Sequence, residues 1–473
     1  MRKASLFALV QTLATLQAAA PARAAQQPPP PAQDPLTVPP LPQIDDPMLA
    51  PVPPPARLLG SWQEAIGYLR ARSTDLRIAL DQVLQAEAQT RIALAQYLPT
   101  ITANGVYTRQ LITRTSTGLA ISPMGVPLPT SSQIPVPDTL AGNVQLSQEV
   151  INAPDFDQIS IDELNEDATR LSVDDVKRTL ALGLANQIVA VVTAERSAEI
   201  NRVGLNVALA QLDIAKHKQA LGAATGLDVV RADQNAANAR ATLVTGDESL
   251  RQAREALGLA LGVPEETGVA RDVNIDGLAA TAAASCRVVG SVDDRPDVAA
   301  ARVGLDVAKR NLQNVWLTFL PTVTVQSSMP ATFTPAPPST YPNPTWNIQA
   351  VLSVPIWDGG ARYGGLRNAR AAEDIAAQKL EALRRQAIIQ VEQARRQVVV
   401  AETSDRVARQ QRDLAAQNDD MTQKAYAVGQ GTSLELVTAS EAHRQAELNL
   451  ALADFNVVKA RILAVLALAT CPW

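Results

Sequence analysis

The chain is poor in the residues that carry most enzyme chemistry. Among its 473 residues only His217 and His443 are histidines, and no stretch reads HExxH or GxSxG. The stretch VGQGTS is similar to a glycine-rich nucleotide-binding loop, but the sequence before it predicts a helix where such a loop needs a strand. We therefore expect no enzyme, no cofactor and no bound metal, and we expect both histidines to be solvated surface residues.

Charge and hydropathy exclude two further classes of protein. Lys and Arg number 42 against 47 Asp and Glu, and they are interspersed, so the sequence shows no electrostatic footprint for DNA or RNA, and we expect no nucleic-acid partner. Beyond the amino-terminal segment no apolar run is long enough for a transmembrane helix, so any membrane crossing must use strands. Aromatic residues make up 3% of the chain, whereas Ala, Leu, Val, Gln and Arg are abundant, which favours long packed helices.

Cysteine is almost absent. Cys286 and Cys471 lie too far apart in sequence for a CxxC redox or zinc motif. In an exported protein they could pair as one disulfide. Two buried unpaired thiols are also compatible with the sequence, because sequence separation does not fix the distance between two Cβ atoms.

Residues 1–24 have the pattern of a secretory signal peptide. Two basic residues precede an apolar run that ends in the small-x-small cleavage pattern Ala22-Arg23-Ala24, although an amphipathic helix would also fit. No cysteine lies near the cleavage point, so a lipid anchor is not indicated. Residues 25–60 are so rich in proline that we expect an extended, disordered tether, either a plain lead or a spacer and recognition segment.

The remainder of the chain reads as an internal duplication. LPTIT follows a helical stretch at residue 98, LPTVT does so again at residue 320, and a returning strand follows each time. Each half predicts a helix, a β-hairpin, a long helix, a tight tip and a second long helix. The predicted boundaries are a first repeat at 61–270 with its hairpin at 98–152, an inter-repeat linker at 271–291, and a second repeat at 292–470 with its hairpin at 320–357.

The long helix of the second repeat has the clearest pattern. Residues 362–426 contain no proline, and an apolar seam recurs with a mean spacing near that of a coiled coil. Further apolar residues lie off that seam: Ile388, Ile389, Val399 and Val400. A helix with two apolar seams contacts neighbours on both sides, which favours a ring of helices over a two-stranded rod. At 1.5 Å per residue it would span about 100 Å.

The tip of each helical hairpin is encoded by the same short pattern. LGAATGLDVVRADQ at 221–234 is matched by VGQGTSLELVTASE at 428–441. In both, a glycine suits the left-handed end of one helix, and Thr followed three positions later by an acidic residue is a capping box that starts the next. The matched residues are Gly222 and Gly429, Thr225 and Thr432, and Asp228 and Glu435. The duplicated pattern therefore predicts a duplicated turn.

The predicted strands have lengths and flanking rings that are compatible with a membrane. At about ten residues each, they are long enough to cross a bilayer when tilted. Aromatic rings gather near their ends, either as a membrane-interface belt or as core anchors where helix meets sheet; they are Tyr97, Trp316, Phe319, Tyr341, Trp346 and Trp357. Four strands cannot close a barrel, and an open edge in lipid leaves backbone groups unpaired, so the chain must associate as two copies or three.

Taken together, these motifs carry a resemblance. YLPTIT and FLPTVT before strands, LSVPIWDGG between strand and helix, and GTSLELVTASEAHRQAELNL after the second tip resemble the TolC-type outer membrane efflux protein family over residues 60–470. The resemblance implies a mainly α fold with a small β part: long antiparallel helical hairpins form an α-barrel tunnel in the periplasm, and trimerisation completes a β-barrel in the bacterial outer membrane. It also implies a passive exit duct of a tripartite efflux or type I secretion system, with a periplasmic adaptor, an inner-membrane transporter and outer-membrane lipid as partners.

The resemblance also implies roles at the tips. The positions that would meet the adaptor are Leu221, Gly222, Val428 and Gly429. Glu435 matches a carboxylate that narrows the periplasmic opening, whereas Thr438 stands where some members carry a second gating aspartate. Capping and gating are compatible roles for Glu435 and Asp228, and like charges around one axis would resist closure unless basic groups such as Arg231 intervene. The alternative function is a non-conducting periplasmic coiled-coil scaffold or adaptor, which would normally carry one helical hairpin rather than two matched halves.

Overall fold

A computed structural model describes residues 44–109, 111, 115–121, 123–133, 138–270, 277–333 and 344–473. The expected export signal, the proline-rich segment up to residue 43, and Tyr341 lie outside the described residues. Two successive runs of helix, strand pair and long helical hairpin make up most of the described chain. The expectation of a mainly α, internally duplicated fold with a small β part is confirmed.

The elements follow the predicted order in both repeats. From the amino-terminal side to the end of the first repeat they are β1 (Arg57–Leu59), α1 (Trp62–Arg72), α2 (Thr74–Tyr97), β2 (Thr100–Thr108), β3 (Thr115–Ile121), β4 (Pro127–Gln133), β5 (Thr139–Ile151), α3 (Ala153–Ala220), α4 (Gly226–Ala260) and β6 (Thr267–Val269). The inter-repeat segment and the second repeat contain α5 (Leu278–Ser285), β7 (Arg287–Val288), α6 (Pro296–Leu317), β8 (Thr322–Phe333), β9 (Asn347–Ser353), α7 (Ala361–Ala427), α8 (Ser433–Leu466) and β10 (Ala469–Thr470).

Helices α3 and α7 are nearly equal in length, at 68 and 67 residues, and each spans about 100 Å. Pro154 lies in the first turn of α3, where an N–H would have no intrahelical partner. At the start of α7 the Asp358 carboxylate accepts hydrogen bonds from the amides of Gly360 and Arg362, both at 3.0 Å. Each long helix packs against the helix that follows its tip, α3 against α4 and α7 against α8. No helix in the described part of the chain is both long and apolar enough to span a bilayer.

The principal sheet joins the two repeats at the end of the long helices opposite the tips. Its strands pair in the order β2-β5-β8-β9, and every pair is antiparallel. The β5–β8 ladder, which contains a register shift between Glu149 and Ile151, connects the hairpin of one repeat to that of the other. Strands β3 and β4, which lie between β2 and β5 in the sequence, pair with each other in a separate two-stranded ladder. Within the described residues, β2 and β9 are edges that pair on one side only.

The largest apolar core lies where the middle of α3 meets α1, α4, α5 and α8. Its large side chains include Trp62, Leu184, Leu257, Ile462 and Leu466. The Trp62 indole N–H donates to the Ser285 hydroxyl at 3.0 Å, so the one polar atom of this ring has a partner. Cys286 and Cys471 are joined by a disulfide within the same core. Of the two states that the sequence leaves open, the structure thus contains the disulfide.

The prediction of a disordered tether is wrong for residues 44–60. Apolar side chains from this segment pack against the core between α3 and α4, and β1 pairs in parallel with β6. Asp46 forms an ion pair with Arg240 at 3.1 Å, and the Arg254 guanidinium donates to the Pro53 carbonyl at 2.9 Å. Proline prevents a helix here, but its carbonyl can still accept a hydrogen bond from a neighbouring element. The segment is therefore attached to the helices.

The aromatic rings near the sheet include both packed and exposed side chains. Tyr97, at the end of α2, packs against Phe156 in the first turns of α3, with ring centroids 4.4 Å apart. That contact lies where helix meets sheet. Trp346 and Trp357, which flank β9, are instead 75% and 78% exposed on the single chain.

Candidate functional site at the paired hairpin tips

The first tip connects α3 to α4 through a left-handed glycine and a capping box. Gly222 has φ of 70°, and the Ala223 amide donates to the Lys218 carbonyl at 2.8 Å, which closes the end of α3. Thr225 then caps α4. Its hydroxyl accepts from the Asp228 amide at 3.3 Å, while the Asp228 carboxylate accepts from the Thr225 amide at 2.9 Å. The predicted capping box is confirmed.

The second tip, between α7 and α8, repeats these bonds. Gly429 has φ of 77°, and the Gln430 amide donates to the Ala425 carbonyl at 2.9 Å. The Thr432 hydroxyl accepts from the Glu435 amide at 3.3 Å, and the Glu435 carboxylate accepts from the Thr432 amide at 2.8 Å. This second capping box is also confirmed, so the repeated sequence encodes a repeated turn.

The two tips contact each other although they lie more than 200 residues apart in sequence. The Ser433 hydroxyl, at the start of α8, donates to the Asp228 carboxylate at the start of α4. The Lys218 ammonium donates to the Tyr426 carbonyl at 3.3 Å and lies 3.7 Å from the centroid of the Tyr426 ring. A hydrogen bond to a charged group and a cation–π contact thus link the first hairpin to the second.

Contacts within and between the tips shift the pKa values of three tip residues. Hydrogen bonds from the Ser433 hydroxyl, and then from Thr225, lower the pKa of Asp228 to about 2. Bonds from Thr432 also hold the pKa of Glu435 below its ordinary value. Burial, and then the charge of Asp228, raise the pKa of Tyr426. Both tip carboxylates are therefore charged throughout the neutral range.

The remaining residues predicted at the tips divide between the apex and a side groove. Leu221 is 83% exposed and Val428 is 48% exposed, so each tip presents an apolar side chain to solvent. Arg231 follows Asp228 by one turn of α4 and lines a groove of about 530 Å³ whose other wall is α8, including Thr438. The positive charge of Arg231 contributes to the lowered pKa of Asp228.

Sequence reasoning missed a buried polar cluster that lies about 15 Å from the second tip, measured along α7. The carboxylate of Asp419, which is 8% exposed, accepts from the Ser440 hydroxyl at 2.7 Å and from the Gln423 amide at 3.0 Å. Its second oxygen is also 3.2 Å from His443 Nδ1, and His443 Nε2 is 3.7 Å from a Glu447 oxygen. The His443 side chain is 28% exposed, so it is only partly solvated.

A carboxylate pair lies at the opposite end of α3, where β5 leads into the helix. The Asn152 amide donates to Glu149 at 2.5 Å and to Asp155 at 2.6 Å. Burial, and then the neighbouring Glu149, raise the pKa of Asp155 to about 6. Nowhere in the described part of the chain do three or more His, Cys, Asp or Glu side chains form a group that could hold a metal ion.

Comparison with known proteins identifies the family of this chain and the solved structures that share its fold. A family model described as outer membrane efflux protein matches residues 65–263 and 291–468. The pyoverdine export outer membrane protein OpmQ of Pseudomonas aeruginosa is 25% identical over 297 residues, which are 61% of this chain and 59% of that protein. The match thus spans less than two thirds of the length of this relative.

Solved structures share the fold at low sequence identity. The outer membrane protein VceC of Vibrio cholerae aligns with a TM-score of 0.68 at 17% identity, over 86% of this chain and 95% of VceC. CusC aligns with a TM-score of 0.71 at 17% identity, over 90% of this chain and 99% of CusC. The open state of the Neisseria gonorrhoeae MtrE outer membrane channel aligns with a TM-score of 0.64 at 18% identity, over 86% of this chain and 88% of MtrE.

Proposed function

Because the chain belongs to the outer membrane efflux protein family, we propose that it is a passive exit duct in the bacterial outer membrane. Cargo would reach it from a periplasmic adaptor and an energised inner-membrane transporter, and the transporter would choose the cargo. The observation that carries the proposal is the pair of matched tips, held side by side at the far end of helices that begin at an antiparallel sheet.

The sheet supports a trimeric assembly. One chain supplies four strands, β2, β5, β8 and β9, whose two edges would leave backbone groups unpaired in lipid. Three copies that join β9 of one chain to β2 of the next form a closed barrel without such edges. The long helices, about 100 Å each, would continue this barrel as a tunnel across the periplasm.

The exposed apolar surface of α7 supports the same assembly. Side chains that lie off the main seam are 46–65% exposed on the single chain; they are Ile388, Ile389, Val399 and Val400. A long helix with such a face normally packs against a further helix. A neighbouring copy of the chain supplies that helix in a ring.

The tips are proposed as the gate of the duct and as its docking point for the adaptor. Around a threefold axis the charged Glu435 and Asp228 carboxylates would form a negative constriction that attracts cations. The Ser433–Asp228 and Lys218–Tyr426 contacts hold the two hairpins of one chain together, so opening would separate them. Exposed Leu221 and Val428, beside Gly222 and Gly429, offer the adaptor an apolar docking surface at each apex.

Fractionation followed by native mass spectrometry tests this proposal. We expect the full-length protein in detergent-extracted outer membranes, with a mass of three chains that falls to one chain on heating. A monomer recovered from the soluble periplasmic fraction would overturn both the localisation and the duct.

A further inference from the structure

The polar cluster around Asp419 reaches across to the first hairpin. Gln211, on α3, donates its side-chain amide to the Ser440 hydroxyl at 2.9 Å. Ser440, on α8, donates in turn to Asp419 Oδ1 on α7 at 2.7 Å. One line of hydrogen bonds thus runs from the first repeat through α8 to α7, deeper in the helices than the contacts at the tips.

The negative charge of Asp419 fixes the direction of these hydrogen bonds. An ionised carboxylate only accepts hydrogen bonds, so the single hydroxyl proton of Ser440 must point towards Asp419. The lone pairs of the same hydroxyl then remain for Gln211, which must present its N–H. Gln211 is 6% exposed, and its Oε1 has no partner among the described residues. Its cross-hairpin attachment in this cluster is therefore the bond to Ser440.

Asp419 is held in place by donors on its other side. Oδ2 accepts from the Gln423 amide at 3.0 Å and faces His443 Nδ1 at 3.2 Å, while Oδ1 serves Ser440. The cluster borders a cavity of about 210 Å³ between the hairpins. An amide in place of the carboxylate has one acceptor oxygen instead of two. It therefore cannot accept from Ser440 with one oxygen and from Gln423 with the other.

We propose that Asp419 is a positioning residue of the gate: its carboxylate orients the Ser440 hydroxyl to accept from Gln211 and thereby holds the second hairpin against the first. This role rests on the proposed function of the tips, because the hairpins must separate for the duct to open. Asp419 acts from about 15 Å along the helix, and its described hydrogen bonds go to Ser440, Gln423 and His443, outside the tip turns. Loss of its charge therefore loosens the tips without altering their own contacts.

The distance between the two tips of one chain measures this effect. Nitroxide labels on Leu221→Cys and Val428→Cys, both exposed, report that distance by pulsed electron paramagnetic resonance on the full-length assembled protein, in which doubly labelled chains are diluted with unlabelled chains so that pairs of labels within one chain dominate. The test variant is Asp419→Asn. The matched control is Asp420→Asn, which removes the adjacent charge on the same helix, an exposed carboxylate that pairs with Lys424 at 2.7 Å.

We expect Asp419→Asn to raise the population with separated tips about fivefold. This is the change in an equilibrium constant that follows from the loss of one neutral hydrogen bond. Asp420→Asn should leave the distribution unchanged. Ser440→Ala should reproduce the effect of Asp419→Asn, and the double variant should add nothing further, because Asp419 acts through that hydroxyl. A purely structural role of Asp419 predicts additive effects instead.

Two results would overturn the inference. One is a distance distribution for Asp419→Asn that matches the distribution for Asp420→Asn. The other is additivity: in a protein that already carries Ser440→Ala, Asp419→Asn raises the population with separated tips by the same factor again. Gln211→Leu removes the same hydrogen bond from the α3 side. It therefore provides a second test if the Asp419 variant misfolds. The measurement needs no ion current, so a failure of the duct proposal and a failure of this inference give different results.

Discussion

Replacing Cys286 and Cys471 by alanine should lower the free energy of unfolding by about 5 kcal/mol, the loop-closure value for this length of chain. The disulfide joins residues that are 185 positions apart. It restricts the unfolded chain by tying the inter-repeat segment to the residue that follows β10. Both sulfurs lie in the main core, where Cys286 is 5% exposed and Cys471 is fully buried, so the bond is protected from reductants in the folded protein.

Urea unfolding of the purified full-length protein, followed by circular dichroism, measures this loss. Cys286→Ala, Cys471→Ala and the double variant should be destabilised almost equally, because either substitution breaks the same bond. Equal stability of the double variant and the wild type would refute the reasoning. A double variant much less stable than either single variant would show that packing, rather than the cross-link, dominates.

Three further changes test local features. Thr432→Ala removes the hydroxyl that caps α8 and should cost about 1 kcal/mol in urea unfolding; equal stability would contradict the cap. Gly429→Ala places a side chain at φ of 77° and should cost about 1 kcal/mol, with an unchanged melting temperature as the contrary result. Asp155→Asn should flatten the pH profile of stability. Folding raises the pKa of Asp155 from 3.8 to about 6, so the contribution of this group to wild-type stability is full below pH 3.8 and is lost as the pH rises to about 6; parallel profiles would refute this.

Local patterns predicted the features that depend on neighbours in sequence. The capping boxes at Thr225 and Thr432 require one hydroxyl and one carboxylate three residues apart, so the sequence contains all the necessary groups. The proline-free seam predicted α7 at residues 362–426, and the helix extends over Ala361–Ala427. Such signals arise within one helix or one turn, where covalent geometry fixes the distances.

Features that depend on contacts between distant elements could not be derived in this way. The proline-rich residues 44–60 attach to the helices because Arg240 and Arg254 reach them from α4, and no local pattern predicts that pairing. The choice between a disulfide and two thiols required the Cβ geometry of Cys286 and Cys471.

The Asp419 cluster had a partial signal in the sequence. Asp419 lies 28 residues, or four heptads, after Val391, so it occupies the buried seam of α7 at a position where an apolar residue is normal. A charge in a seam indicates a partner on a facing helix. The identity of that partner, Ser440 on α8 with Gln211 of α3 behind it, depends on the register between helices, which heptad spacing does not fix.

The ion current through the purified protein in a planar lipid bilayer tests the central claim most directly. Ser433→Ala removes one of the two described hydrogen bonds between the tips, the one from Ser433 to Asp228, and leaves the bond from Lys218 to Tyr426. Ser172→Ala is its control, because the Ser172 hydroxyl bonds only within its own helix among the described contacts. We predict a cation-selective current in the wild type, the same current in Ser172→Ala and a larger one in Ser433→Ala. Demonstrated insertion without current in all three proteins would contradict the claim that this chain forms a conducting duct.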